Sequence, residues 1–294
     1  MAMTTSELGD RTTYIGASDF STLIGVNPYQ SALDLYLRLH DGIEKPAGEA
    51  AEIGLALEPI ICRLYEQRTG RRLIRRNEYV HPEHEWIRVH PDRLVVGEDG
   101  LMDAKSSEWA HGWGDPGTDQ VPPMVRVQMV VLCGVANKAW AEPVLFRGTR
   151  RLEVYRVEAD PAMYEALVAE AVRFREEHWL PGVPPPVDGT EAYGRYLAER
   201  YPKDDGTELV ATPEQALLVE ELAAAKAALK AAKDREELAG QRIKDVMGEA
   251  TALLSPVGRV TWKQQTRAGY VVPDSTFRKL DFRAAKGAQQ EEAA

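Results

Sequence analysis

The sequence predicts an α/β protein in which helices flank a central mixed β-sheet and a long helix with a β-hairpin follows. Three observations support this class. Helix-like and strand-like patterns alternate over residues 18–179, which is typical of a sheet with helices packed on it. A proline-rich segment, residues 180–186, then interrupts the alternation. After residue 212, a stretch rich in Ala, Lys and Glu has the composition of one long helix.

The composition excludes several other classes. Hydrophobic residues make up 44% of the 294 residues and charged residues 28%, as in ordinary folded proteins. No apolar run is long enough to span a membrane, and the first residues lack the pattern of a signal peptide. Cys62 and Cys133 fit no CxxC pattern. We therefore expect a cytoplasmic protein without a membrane partner or a cysteine-based metal site.

The first third of the chain is predicted to be mainly helical. Residues 18–39 favour two short helices, with Ser31 as the cap of the second. Residues 50–68 favour a third helix that ends at Gly70. Its larger apolar residues recur with the spacing of one buried helix face: Leu57, Ile60, Ile61, Leu64 and Tyr65.

The middle of the chain is predicted to supply the sheet. The turn at 97–100 contains glycine and joins two of the strands. A polar loop over 108–123 precedes a helix that we expect to end at Gly134. The predicted strands are 72–79, 86–96, 101–106, 138–146 and 152–157, and the predicted helices are 124–133 and 161–179.

We predict three parts along the chain: a core over 1–188, a linker over 189–211 and an appendage over 212–294. Thr212 begins a capping box for a long helix that reaches about residue 248. The expected hairpin joins 257–264 to 269–272. A basic segment, residues 259–286, carries a net charge of +5 and leaves −15 for the rest of the chain. A local basic surface and a solvated tail are both compatible with this segment.

One cluster of polar residues has the pattern of a catalytic site. Asp92 and Asp103 lie on two predicted strands that are joined by a tight turn, so antiparallel pairing brings them together. Lys105 lies two residues after Asp103 and shares its side of the strand. Carboxylate oxygens suit Mg²⁺ or Mn²⁺, and an ammonium can orient or deprotonate water or stabilise charge on a phosphate.

A surface salt bridge on a hairpin is the simpler interpretation of an Asp-x-Lys triplet. Three neighbours favour a site instead. Pro91 precedes Asp92, Glu58 lies beside the apolar stripe of the third helix, and Gln128 follows in the next helix.

These residues resemble a known family. Pro91-Asp92 followed by Asp103-Ala104-Lys105 is a PD-(D/E)XK signature. RTTYIGASDF at 11–20 and LIGVNPY at 23–29 resemble the opening of the YqaJ-like viral recombinase family, which comprises lambda exonuclease-like nucleases. Gly54 to Pro59 resembles its second motif. The resemblance covers roughly residues 11–150 and implies a PD-(D/E)XK nuclease core.

The resemblance also implies a role for each matching residue. Lys105 would position the attacking water, with Gln128 supporting that lysine or the scissile phosphate. The implied metal ligands are Glu58, Asp92, Asp103 and the backbone carbonyl of Ala104. Arg11 and Ser18 would form a pocket for a DNA 5′-phosphate. Two positions depart from the family pattern. Asp103 often corresponds to Glu, and the usual Gln-x-Gln reads Arg126-Val127-Gln128.

By this resemblance the protein would be a metal-dependent DNA exonuclease of a phage-type recombination system. It would degrade linear double-stranded DNA from 5′ to 3′ with Mg²⁺, for which Mn²⁺ substitutes. It would form a ring-shaped homo-oligomer, have a phage single-strand annealing protein as partner, and act in the cytoplasm of a bacterial host.

The residues taken by themselves support a metal-dependent phosphodiesterase. An endonuclease or repair nuclease therefore stays open, as does a non-catalytic DNA-binding or assembly protein with a decayed nuclease core. The intact carboxylates and lysine argue against decay.

Overall fold

The computed structural model describes residues 9–43, 48–75, 78–108, 111–148 and 151–266. The described chain divides into two compact units, with the boundary between Arg195 and Tyr196. Its α-helices are α1 (Asp19–Leu23), α2 (Ala32–Tyr36), α3 (Glu49–Thr69), α4 (Pro123–Ala136), α5 (Pro161–Phe174), α6 (Glu191–Arg200) and α7 (Pro213–Met247). Its strands are β1 (Leu73–Ile74), β2 (Tyr79–Val80), β3 (Arg88–Val89), β4 (Arg93–Val95), β5 (Gly100–Ser107), β6 (Trp140–Arg147), β7 (Arg151–Val154), β8 (Val157–Glu158), β9 (Ala252–Ser255) and β10 (Gly258–Thr261).

A mixed sheet forms the centre of the first unit, as predicted. Its strand order is β1-β4-β5-β6-β7, and β8 pairs with the beginning of β6. Strand β5 is antiparallel to β4 and parallel to β6, with register from Gly100 opposite Trp140 to Ser107 opposite Arg147. Helix α4 makes the crossover that a parallel pair requires.

Helix α3 covers one face of this sheet. Its buried residues form a stripe at helical spacing: Glu58, Ile61, Cys62 and Tyr65. Ile61, Cys62 and Tyr65 pack in a core with residues of four strands, among them Met102, Trp140 and Val144. The prediction was wrong for Ile60, which is 45% exposed, because position 58 and not position 60 completes the buried stripe.

Helix α4 is longer than predicted. Gly134 lies inside it, and the helix ends before Asn137, which adopts a left-handed conformation with φ of 50°. Gly134 serves packing rather than termination, since a Cβ there would lie 2.4 Å from the ring of Tyr164 in α5. Most residues of α4 are buried, which fits a crossover helix between the sheet and an outer helix.

The helices at both ends of the first unit agree with the sequence patterns. Ser31 caps α2 in a reciprocal capping box with Asp34. Helix α5 begins after the cap Asp160 and continues as a π-helical turn, Arg175–Trp179.

Two predicted strands are each divided. Residues 72–79 contribute to two different sheets, as β1 and β2. Residues 86–96 are split between β3 and β4 at Pro91-Asp92. Proline has no N–H for a strand ladder, and pairing resumes at Arg93.

The second unit contains α7, which begins at the predicted capping box of Thr212 and Gln215. The hairpin joins β9 to β10 across two turn residues, so it lies earlier than predicted. Its first strand begins four residues after the helix cap Gly248, in a segment for which no strand was predicted. The predicted strand 269–272 and most of the basic segment, from Arg267 onward, lie outside the described residues.

Helix α6 lies within the predicted linker 189–211. The division into core 1–188, linker and appendage 212–294 therefore stays a prediction, with a helix inside its linker. Among the helices of the described ranges, none has the length and apolar character needed to cross a bilayer.

Candidate active site

Asp92 and Asp103 meet at the edge where β4 and β5 stop pairing. The last register pair at this end joins Arg93 to Met102, so Asp92 and Asp103 lie just beyond it. Asp92 accepts a hydrogen bond at Oδ2 from the backbone N–H of Ala104, at 2.7 Å. The Asp92 side chain thus takes the place of a ladder bond and fixes its carboxylate against β5.

Lys105 and Gln128 complete a polar group on one face of β5. Met102 packs in the core beneath α3, and alternate strand residues point to opposite faces, so Asp103 and Lys105 point toward α4. Lys105 Nζ lies 2.6 Å from Asp103 Oδ2 and donates a hydrogen bond to Gln128 Oε1 at 2.8 Å. The structure therefore brings together Asp92, Asp103, Lys105 and Gln128.

Glu58 reaches the same region from the α3 side. Its carboxylate Oε1 lies 2.7 Å from Arg93 Nη1, and both side chains are buried. Arg93 also donates a hydrogen bond to the carbonyl of Asp92. Glu58 is thus linked to the Asp92 segment through a buried guanidinium.

The carboxylates of this group repel one another in a region shielded from water. Burial raises the pKa of Asp92 well above its ordinary value, and the nearby charges of Asp103 and Glu58 raise it further. Lys105 and the Ala104 N–H act in the opposite direction. A divalent cation would relieve this repulsion, because it would neutralise the two aspartates together.

The donor chemistry fits a hard divalent cation. Two buried oxygens, Glu58 Oε1 and Asp103 Oδ2, have no hydrogen-bond partner of good geometry although each lies close to a cationic nitrogen. In the ranges described, however, no three Asp, Glu, His or Cys side chains are already arranged to enclose a metal ion. The Glu58 carboxylate is already engaged by Arg93. The groups best placed to hold a cation are therefore Asp92, Asp103 and the Ala104 carbonyl.

Arg11 and Ser18 lie at the beginning of the first unit. Arg11 is in a short 3₁₀ turn, and its side chain is one-third exposed. Ser18 is exposed, and its hydroxyl makes no capping hydrogen bond to α1. Asp19, the next residue, has its carboxylate Oδ1 3.6 Å from Arg11 Nη2. The fold thus brings the Arg11 side chain to the start of α1, where Ser18 lies.

This N-terminal segment is joined to the strand that leads into Asp92. Ile15 accepts from the Arg88 N–H and donates to the Trp86 carbonyl, forming an isolated parallel bridge with Ile87. The rings of Tyr14 and His90 lie 5.7 Å apart. The positive charge of Arg11 contributes to the lowered pKa of His90, whose main cause is burial.

Sequence reasoning missed three buried charged residues around these sites: Asp19, Arg38 and Arg93. Arg93 directly follows Asp92 and Asp19 directly follows Ser18, so adjacency to a candidate residue was the available signal. Arg38 had no such signal, because its partners lie 27 and 19 residues away.

A family model matches the part of the chain that carries the candidate site. Residues 8–139 match the family model of the YqaJ-like viral recombinase domain. This part of the chain is therefore similar to that domain. The matched segment contains the candidate residues from Arg11 to Gln128, and strand β6, the parallel partner of β5, begins directly after it.

A bacterial relative also matches much of the chain. Protein YqaJ of Bacillus subtilis strain 168, which is uncharacterized, is 25% identical over 201 residues. The match covers 67% of this chain and 63% of that relative, so the chain spans less than two thirds of its length.

The fold is shared with solved nucleases. The alkaline exonuclease LHK-Exo of Laribacter hongkongensis superimposes with a TM-score of 0.51 at 19% identity, covering 67% of this chain and all of that one. LHK-Exo in complex with dAMP gives a TM-score of 0.50 at 20% identity, covering 67% of this chain and 97% of that one. The central sheet flanked by helices is therefore the PD-(D/E)XK nuclease fold, as predicted.

Proposed function

We propose that the protein is a metal-dependent DNA exonuclease of a phage-type recombination system, acting from 5′ to 3′ on linear double-stranded DNA. The observation that carries the proposal is the grouping of Asp92, Asp103, Lys105 and Gln128 where β4 and β5 stop pairing in the central sheet. The YqaJ-like domain and the exonuclease fold support it further.

Asp92 and Asp103 would hold Mg²⁺, or Mn²⁺ in its place, together with the Ala104 carbonyl. Bound there, the cation would lower the pKa of water and offset negative charge on the phosphate. The hydrogen bond from the Ala104 N–H fixes Asp92, and the β5 backbone fixes Asp103, so the two carboxylates are preorganised.

Lys105 would orient the attacking water and stabilise charge that develops on the scissile phosphate. Its ammonium is held between Asp103 and Gln128, which leaves it little freedom of direction. Gln128 therefore acts through Lys105. Glu58 acts through Arg93, which contacts the backbone of Asp92.

Arg11 and Ser18 would bind the terminal 5′-phosphate of the DNA. A terminal phosphate carries more negative charge than an internal one, and a guanidinium recognises its oxygens with two parallel hydrogen bonds. Such a pocket beside the strand that leads to Asp92 favours attack near a 5′ end. The family resemblance further supports a ring-shaped homo-oligomer, an annealing-protein partner and action in the bacterial cytoplasm.

One experiment tests the proposal against its rivals. The protein is incubated with linear duplex and with covalently closed circular duplex, each with Mg²⁺ or EDTA. We expect loss of the linear DNA only, and only with Mg²⁺. Nicking of the circle would show an endonuclease, and cleavage of neither substrate would show a non-catalytic DNA-binding protein.

A further inference from the structure

Three charged side chains from separate segments converge at the start of the first unit. Arg38, in the π-helical turn Leu37–Asp41 after α2, donates from Nη2 to Asp19 Oδ2 at 2.6 Å. Its other terminal nitrogen, Nη1, donates to the backbone carbonyl of Arg11 at 2.5 Å. Arg38 thus connects the carboxylate of α1 with the main chain of the Arg11 turn.

Arg38 bonds the main chain of Arg11, whereas Asp19 lies near its guanidinium. Its Oδ2 accepts from the Gly16 N–H at 2.7 Å, and its Oδ1 lies 3.6 Å from Arg11 Nη2. That distance is too long for a strong hydrogen bond, so the carboxylate attracts the guanidinium without clamping it. The pair of Arg38 and Asp19 therefore holds the backbone of Arg11 and draws its side chain toward Ser18.

The exposure of the three side chains separates their roles. Asp19 is 2% exposed and Arg38 6% exposed, whereas Arg11 is 32% exposed. Asp19 and Arg38 neutralise each other away from solvent, whereas the Arg11 guanidinium reaches the surface. A buried ion pair of this kind contributes more reliably to geometry than to stability.

We propose that Asp19 and Arg38 are positioning residues that aim Arg11 at the 5′-phosphate of a DNA end. The proposal rests on the end-binding exonuclease function proposed above. It assigns to the buried pair the preference for phosphorylated ends and not the cleavage step. Among the described residues, the hydrogen bonds and ion pairs of Asp19 and Arg38 lead to Arg11 and Gly16 rather than to the carboxylates of β4 and β5. Misplacing a binding group by a small distance is enough to lose its selectivity.

The test uses the full chain and two substitutions, Arg38→Lys and Asp19→Asn. Lysine keeps the charge beside Asp19 but has one nitrogen, so it cannot reach the Asp19 carboxylate and the Arg11 carbonyl as a planar fork does. Initial cleavage rates are measured on matched linear duplexes with 5′-phosphate or 5′-hydroxyl ends. Anisotropy of the same labelled duplexes in EDTA gives the preference without cleavage.

We expect wild type to prefer the phosphorylated end and Arg11→Ala to lose that preference. Each positioning variant should lower the preference roughly tenfold, mainly through slower cleavage and weaker binding of phosphorylated ends. In the Arg11→Ala background, Arg38→Lys should change the preference no further, because residues that act through one group are not additive. Glu142→Gln is the matched control, because it alters another ion pair with a buried carboxylate, and it should leave the preference unchanged.

Two results would overturn the inference in distinguishable ways. If wild type shows no preference, or Arg11→Ala retains it, the proposed end pocket is wrong. If Arg11→Ala loses the preference but folded Arg38→Lys and Asp19→Asn keep it, the pocket stands and the pair is merely structural. Should Asp19→Asn fail to fold, Arg38→Lys and the double variant decide the question.

Discussion

Lys105 Nζ donates a hydrogen bond to Gln128 Oε1 at 2.8 Å, which ties the strand of the candidate site to the crossover helix. Asp103 lies on the other side of the same ammonium, at 2.6 Å. The Lys105 ammonium is therefore held by β5 and α4, two elements that meet only in the folded protein.

Substitution of Asp103 or of Lys105 should abolish cleavage. Asp103→Ala removes a cation ligand, and Lys105→Ala removes the group that orients water, so each should lower kcat by about 10²-fold or more. Gln128→Ala should cost less, about tenfold, because it acts only through Lys105. Cleavage rates and melting curves check this. The control is Lys138→Ala, which removes an ion pair with Asp99 at the surface. Wild-type turnover in a folded Asp103→Ala or Lys105→Ala variant would show that the site lies elsewhere.

Mn²⁺ should bind to the two aspartates. In crystals soaked with Mn²⁺ we expect the ion at ~2.0–2.4 Å from oxygens of Asp92 and Asp103. Calorimetry should show binding to wild type and its loss in Asp92→Asn. Glu58→Gln should weaken binding less, because Arg93 already engages Glu58. Equal losses in Glu58→Gln and Asp92→Asn would place Glu58 among the direct ligands.

Residues 212–294 should be separable from catalysis. Deleting them should leave cleavage of short duplexes while weakening binding to long DNA, because the basic segment is lost. Binding is measured against salt, and each lost phosphate contact should lower the slope of log K against log salt by roughly one. Insolubility or a much lower melting temperature would show instead that α7 is needed to cover the first unit.

The two cysteines should be inert in the folded protein. Burial raises the pKa of both Cys62 and Cys133 to about 12. At pH 8 a thiol of that pKa is ionised in only about one molecule in 10⁴, and the thiolate is the form that alkylating reagents attack. Mass spectrometry after iodoacetamide treatment should find neither residue modified without denaturant and both modified in urea. Rapid alkylation of the native protein would contradict the burial.

The same shift sets a pH dependence of stability. A thiol whose pKa is raised by folding stabilises the native state below its unfolded pKa of about 9, and that contribution is lost as the pH rises from there to about 12. Urea unfolding at pH 8 and pH 10 should therefore show lower stability at pH 10. The Cys62→Ala variant should show a smaller decrease than wild type.

The sequence patterns predicted the long helices well and the short strands poorly. Helices α3, α5 and α7 have periodic apolar positions or caps that act locally, and their bounds agree closely with expectation. The strands β1 and β2 have two residues each, so the apolar run that spans them looks like one strand until the sheet partners are known. Gly134 shows the same limit, since only Tyr164 explains its place inside α4.

The candidate residues that contact each other locally were predictable, and their supports were not. Asp103 and Lys105 share one strand face by simple alternation. Nothing local connects Arg93 with Glu58 or Arg38 with Asp19, because these pairs form across elements. The tertiary fold, not the motif, determines which charges are buried beside the site.

Strand β5 pairs with β6 over its full length, whereas its pairing with β4 covers only Leu101 and Met102. The backbone that carries Asp103 and Lys105 is bonded to β6 on one side and, at Ala104, to the Asp92 carboxylate on the other, so it opens only when this part of the sheet comes apart. Its amides should be among the slowest in the first unit to exchange hydrogen for deuterium, whereas those of the 3₁₀ turn at Arg11 should exchange early. The proposed chemistry would then rest on the slowest-opening strand and the proposed recognition of DNA ends on a faster-opening turn, so mild denaturant should remove end selectivity before it removes cleavage.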